Sequence, residues 1–222
     1  MAETAHDHEK ALARARSIVW DAGRRLHREG LVARTWGNLS LRVNADLFVI
    51  TPSGIVYEQM RPEQIVPVNL RDLSYTGQLK PSSEKALHAA IYHDRPEISA
   101  VIHTHQSAAS SVAAARKDIR DIPSTSRKIF GAVVRTAAYA LPGTRKLARA
   151  TVRALQGGKA ALLANHGAVC IGKDMADAFN VCTQLEGLCQ TFIESAVLKL
   201  AGRANYTPGM VHRLYLERQL WR

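Results

Sequence analysis

The segment Ala160-Ala161-Leu162-Leu163-Ala164-Asn165-His166-Gly167-Ala168-Val169-Cys170-Ile171 decides the fold. Its two apolar runs, 160–164 and 168–171, have the length of buried strands and are too short for helices. Asn165, His166 and Gly167 form the polar turn between them. The pair therefore reads as a buried hairpin that presents a histidine at its tip, where a sheet commonly carries functional groups.

Working outward, residues 99–104 are a further buried strand by composition, followed by a helix over 107–115. Asp174 caps a long helix that reaches about residue 200. Before the hairpin, residues 132–136 read as a strand, and Pro142-Gly143-Thr144 opens a helix that ends near Gly157-Gly158. Another helix is expected over 81–94, beginning at Pro81-Ser82-Ser83. Strand-like runs at 39–43 and 47–51 flank Asn44-Ala45-Asp46 as a second hairpin, and Pro52-Ser53-Gly54 turns the chain. Leu12, Ala15, Ile18, Val19, Ala22 and Leu26 recur at helical spacing, with Gly30 as the stop. Strands and helices alternate without strict βαβ order. The expected fold is α/β, a central mixed sheet covered by helices.

At 222 residues the chain fits one domain over 1–222, and nearly half of it is apolar. The net charge of +11 raises a nucleic-acid reading. The basic residues are scattered, however, and the few aromatics do not interleave with them, so no stacking platform is evident. The charge is better read as a field that attracts small anions. No apolar run approaches the roughly 20 residues of a membrane helix, and the opening MAETAHDHEK resembles no secretory signal. Three cysteines make a poor disulfide framework, so Cys170, Cys182 and Cys189 are expected as buried thiols in a cytoplasmic protein. Cys182 and Cys189 lie seven apart on a helix and share a face.

Of nine histidines, three stand out. His103 and His105 end the strand 99–104 and, two residues apart, point the same way. Paired imidazoles are costly to bury as charged groups, whereas a divalent metal uses both in neutral form. His166 adds a third. Three histidines leave one tetrahedral position open, the pattern of catalytic rather than structural zinc. Gly167 either permits close backbone approach or serves the turn. Glu84 falls in the first turn of its helix, where a carboxylate is favoured in any case. His88, one turn on, reads as a packing residue or a support to the site.

Segments able to cradle an anion accompany these residues. Ser82 and Ser83 lie at a helix N-terminus, where they serve either as caps or as part of a phosphate site. Thr35-Trp36-Gly37-Asn38 and Thr51-Pro52-Ser53-Gly54 are glycine-containing turns with hydroxyl and amide donors.

Thr-Trp-Gly-Asn-Leu-Ser (35–40), Ile-Thr-Pro-Ser-Gly (50–54), Lys-Pro-Ser-Ser-Glu (80–84), His-Thr-His (103–105) and Asn-His-Gly (165–167) occur in this order. In order and spacing they resemble the class II aldolase/adducin head family, the group of L-fuculose-1-phosphate aldolase and L-ribulose-5-phosphate 4-epimerase. The resemblance runs from about Ala11 to Leu200. It implies a three-layer α/β/α fold with a mixed, largely antiparallel sheet. It also implies a homotetramer with active sites between subunits and a tail, about 201–222, as a candidate to close them. By the resemblance His103, His105 and His166 bind zinc, with manganese or cobalt as substitutes. Glu84 binds the metal at rest and swings off to shuttle a proton. Gly37, Asn38, Ser53, Gly54, Ser82 and Ser83 hold the substrate phosphate, with Thr35 nearby. The implied reaction cleaves a ketose 1-phosphate to dihydroxyacetone phosphate and an aldehyde through an enediolate whose charge the metal offsets.

The chain departs from the pattern in two places, the interface tyrosine and the tail. Fuculose-phosphate aldolases carry an interface tyrosine, whereas here no tyrosine occurs between Tyr92 and Tyr139. Ser124, Arg127 and Lys128 occupy that region, Tyr139 belongs to a different segment, and Tyr206 and Tyr215 are the tail's candidates. Epimerases of the family carry Asp where Glu84 stands, which favours an aldolase over an epimerase, decarboxylase or dehydratase. A non-catalytic, adducin-like interaction domain lacks the metal ligands that are complete here.

Overall fold

The computed structural model describes residues 2–32, 36–200, 207, 209, 210 and 213. The elements run α1 (Ala2–Arg28), β1 (Asn38–Arg42), β2 (Leu47–Ile50), β3 (Val66–Asn69), α2 (Lys85–Asp94), β4 (Ala100–Thr104) and α3 (Ser107–Ala114). They continue with α4 (Arg127–Phe130), β5 (Thr136–Ala137), α5 (Arg145–Ala154), β6 (Ala160–Leu163), β7 (Gly167–Gly172) and α6 (Met175–Leu200). The strands form one sheet in the order β3-β2-β1-β4-β7-β6-β5. Only β5 and β6 run parallel; every other pair is antiparallel. This is the expected mixed, largely antiparallel sheet.

Alternation along the central strands divides the core in two. Leu39, Val49, Ile102, Leu162 and Cys170 face α1, α3 and α6, where Val19, Leu26, Val112, Val181 and Leu185 meet them. Phe48, Ile50, Val101, Leu163, Val169 and Ile171 face α2 and α5, against Leu87, Ile91 and Leu147. Helices on both faces make three layers. The three cysteines are buried thiols, and Cys182 and Cys189 do share the inner face of α6. Among the described residues no helix is long and apolar enough to cross a membrane.

Three expectations need correction. Helix α2 begins at Lys85 rather than Pro81. Pro81 instead bridges to Pro52, and the Ser82 amide donates to the Thr51 carbonyl at 3.0 Å, so this stretch stays extended. Glu84 is thus the residue capping the helix, not part of its first turn. The strand foreseen over 132–136 is displaced to Thr136–Ala137, because Val134 pairs with Ile119 outside the sheet. Strand β3 went unforeseen. It contains Pro67, which reads as a breaker but is tolerated at the sheet edge that β3 occupies.

Candidate metal centre and its cleft

Strand β4 delivers His103 to the face covered by α2 and α5, the face that also takes Val101. His103 is 1 % exposed. Its Nδ1 lies 2.9 Å from the Ala168 carbonyl, which can only accept, so Nδ1 carries a proton and Nε2 is the nitrogen that faces Glu84. His105 follows one residue past the strand end, in a stretch tied to α6. Thr104 Oγ1 donates to Gln106 Oε1 at 2.9 Å, and Gln106 Nε2 donates to the Cys182 carbonyl at 2.9 Å. The Glu186 carboxylate accepts from the amides of Ala108 and Ala109 at 2.8 and 3.0 Å, which fixes the start of α3.

His166 sits at the tip of the β6–β7 hairpin, where Asn165 takes the left-handed conformation at φ 55°. Gly167 serves close approach rather than the turn: a Cβ there would lie 2.3 Å from the Thr104 carbonyl oxygen. The hairpin tip and the end of β4 are thereby brought together. The three imidazole centroids stand 4.6 to 5.0 Å apart, and one nitrogen from each lies within 4.8 Å of the others.

Glu84 completes the group. Its Oε2 is 3.1 Å from His103 Nε2, and its Oε1 is 3.5 Å from His166 Nε2. Burial alone would raise its carboxyl, but His103, His166 and the Asn38 amide together hold it below its ordinary value. His105 and His166 are pushed down to about 4, first by burial and then by neighbouring imidazoles. Both are therefore neutral at pH 7, with ring lone pairs to offer. Nε2 of His105 is 3.0 Å from Nε2 of His103, and Glu84 Oε1 is buried without a hydrogen-bond partner among the described residues. Converging lone pairs beside an unpartnered carboxylate oxygen fit a divalent cation.

One open cleft contains Glu84, the three histidines, Gly37, Asn38, Ser53, Gly54, Ser82 and Ser83, together with Trp36 and Pro142. Ser53, Gly54 and Ser83 are exposed there, whereas Ser82 is buried and its Oγ accepts from the Glu84 amide at 3.3 Å. Gly37 has φ +93°, and a Cβ on it would lie 2.7 Å from the His103 carbonyl oxygen, so no side chain fits. Thr35, Tyr206 and Tyr215 lie outside the described residues. Ser124, Arg127 and Lys128 do not line the cleft.

The class II aldolase and adducin N-terminal domain family matches residues 17–193. The chain belongs to this family. It is 35 % identical over 172 residues to a 5-methylthioribulose-1-phosphate/5-deoxyribulose-1-phosphate aldolase of Rhodospirillum rubrum, covering 78 % of this chain and 77 % of the relative. It is 33 % identical over 187 residues to a 5-deoxy-D-ribulose 1-phosphate aldolase of Bacillus thuringiensis, covering 83 % and 86 %. Among solved structures, an L-fuculose 1-phosphate aldolase superposes with a TM-score of 0.75 at 30 % identity over 87 % of this chain and 88 % of that one.

In this class II aldolase family member the sequence reading missed one feature beside the cleft. Asn38, Ser40 and Arg42 alternate along β1 and face Glu84, His88 and Tyr92, which are spaced four apart at α2. His88 Nε2 bonds Asn38 Oδ1 at 2.5 Å, and Ser40 Oγ bonds both His88 Nδ1 at 2.6 Å and Tyr92 Oη at 2.7 Å. Arg42 donates to the Tyr92 carbonyl at 2.6 Å and lies over the tyrosine ring. The available signal was polar alternation in a strand opposed to polar residues at helical spacing. His88 packs between α2 and β1 and does not join the three histidines. Asn38 reaches the cleft, but both ends of its amide are engaged inside the protein.

Proposed function

We propose that this class II aldolase, a carbon–carbon lyase, is zinc-dependent and cleaves a ketose 1-phosphate to dihydroxyacetone phosphate and an aldehyde. The observation that carries the reading is Glu84 Oε2 at 3.1 Å from His103 Nε2, at the edge of a three-histidine cluster. A divalent ion held by His103, His105 and His166 would supply Lewis acidity toward a carbonyl and its neighbouring hydroxyl. Glu84 closes the site at rest. During turnover it carries the proton to or from the carbon beside the carbonyl, a task suited to a carboxylate held near that carbon. Gly37, Ser53, Gly54, Ser82 and Ser83 bind the phosphate and so fix the reacting carbons at a distance from it. Asn38 borders the same pocket.

The aldehyde half is assigned more broadly. Two of the relatives are named for 5-deoxyribulose 1-phosphate, which supports ketoses that lack a terminal hydroxyl. Trp36 and Pro142 offer apolar surface for such an end. Trp36 is 54 % exposed and Leu141, beside Pro142, is 64 % exposed. The exposure of Trp36 at the cleft and of Leu141 next to it supports a homotetramer in which a second copy covers this rim. We assign the whole of 1–222 to one domain in a cytoplasmic enzyme, with the tail of about 201–222 as a candidate cover.

The test pairs elemental analysis of the purified protein with an assay of dihydroxyacetone-phosphate release from a panel of ketose 1-phosphates, 5-deoxy compounds included. About one zinc per chain together with release is the expected result, following the open three-histidine pattern. Metal without release from any member of the panel overturns the aldolase assignment.

A further inference from the structure

A row of buried polar side chains leads from Glu84 away from the cleft, between β1 and α2. Asn38 Nδ2 is 3.2 Å from Glu84 Oε2, and Asn38 Oδ1 is 2.5 Å from His88 Nε2. Beyond His88 the row continues through Ser40 to Tyr92 at 2.6 and 2.7 Å. Ser40 and His88 are wholly inaccessible, and Tyr92 is 1 % exposed. Such a row is more than is needed to pack a helix on a strand, since apolar residues do that without any polar group to satisfy.

Hydrogen-bond chemistry fixes the direction of the links from Glu84 as far as Ser40. An ionised Glu84 only accepts, so Asn38 turns its NH2 toward the carboxylate. The Asn38 carbonyl then faces His88, whose Nε2 must carry a proton. His88 is fully buried and has no carboxylate among its hydrogen-bond partners, so the ring is neutral and its Nδ1 is bare. Ser40 therefore donates to Nδ1, while the Tyr92 hydroxyl lies between the Ser40 oxygen at 2.7 Å and the Ser99 carbonyl at 3.2 Å. The protons of Ser40, His88 and Asn38 all point toward Glu84.

We propose that His88 is a positioning residue for the reaction. Its Nε2–H locks the Asn38 amide in one orientation and thereby keeps the Glu84 carboxylate aimed at the three histidines, while the Ser40 hydroxyl satisfies the bare Nδ1. Without that proton, only the weak 3.2 Å bond to Glu84 itself opposes an amide flip that would set the Asn38 carbonyl against the carboxylate. The inference rests on the reading of Glu84 as the proton-carrying group.

Two measurements test it. The first reads tautomers in the unsubstituted, metal-free chain labelled with 15N-histidine, using two-bond proton–nitrogen correlations, with Ser40→Ala identifying the His88 ring by its shift. The expected result is a neutral ring protonated at Nε2; an Nδ1–H tautomer or a doubly protonated ring overturns the proposal. The second compares His88→Leu with His88→Gln, whose amide nitrogen can take the place of Nε2. His88→Leu should lower kcat and solvent-deuterium exchange into dihydroxyacetone phosphate by about tenfold or more, with KM and zinc content near those of the parent. His88→Gln should recover most of the loss. Equal loss in both variants, or loss in neither, overturns the positioning role. Glu84→Gln is assayed alongside. Full exchange in that variant would defeat the reading of Glu84 itself, whereas loss there with none in His88→Leu defeats the inference alone. Should His88→Leu fail to fold, the tautomer measurement still decides.

Discussion

Asn38 and His103 stand directly opposite each other in the β1–β4 ladder. One pair of strand positions therefore sets both a candidate metal ligand and the amide that holds Glu84. A slip of one residue in this register would leave the two side chains on opposite faces of the sheet. The centre depends on the ladder as much as on its own residues.

Removing a histidine and removing the carboxylate should have different consequences. His103→Ala is expected to lose bound zinc and to lower turnover by more than about a hundredfold. Glu84→Gln should keep zinc at least in part and lose proton transfer. Metal analysis beside deuterium exchange distinguishes the two; stoichiometric zinc and full turnover in His103→Ala would show that the ligands lie elsewhere.

The phosphate segment should act on binding more than on chemistry. Ser83 is exposed in the cleft beside Glu84. Ser83→Ala is expected to raise KM for a ketose 1-phosphate by about tenfold, the worth of one charge-assisted hydrogen bond, with kcat changed little. Steady-state kinetics checks this, and an unchanged KM would place the phosphate elsewhere.

Gly167→Ala should damage both stability and metal binding. The added methyl meets the Thr104 carbonyl oxygen at 2.3 Å and the His103 ring at 3.3 Å, which leaves it no room. A loss of about 1–3 kcal/mol is expected in denaturant unfolding, as for other overpacked sites. Zinc affinity should fall in parallel, because His166 is displaced from its two partners. Parent-like zinc affinity would show that the hairpin tip tolerates movement.

A pH-dependent contribution to stability should come from Asp177, away from the cleft. Burial raises its carboxyl, but hydrogen bonds from Lys159 and the Lys173 amide outweigh that and hold it below its ordinary value. A depressed folded-state pKa stabilises above the unfolded value, and the benefit is lost as pH falls through the folded one. Asp177→Asn should therefore cost about 1 kcal/mol at neutral pH, with the difference from the parent shrinking below about pH 4. A constant difference across that range would rule out the linkage.

Much of this arrangement was legible before any coordinates. The hairpin bearing His166 could be read because two apolar runs flank a turn, and His103 and His105 because a strand alternates its faces. Grouping Glu84 with them drew on the ordered motifs rather than on local pattern. The start of α2 was misread because a proline before two serines is a common helix opening, and only the partner strand at Thr51 and Pro52 shows it to be extended. Ser40 and Tyr92 went unnoticed for a similar reason. A serine in a strand and a tyrosine in a helix carry no signal until both are placed on His88.

The two ends of the sheet have a consequence for how copies of the chain meet. At one end, β3 carries a proline and folds back on itself, with Val68 bridged to Tyr75 and the Asn69 amide bonded to the Ser74 carbonyl. At the other, β5 offers only two residues. Neither end is a template on which a neighbour could extend the sheet. Open-ended stacking of sheets is thus discouraged, and the homotetramer proposed above would have to close through helices and loops.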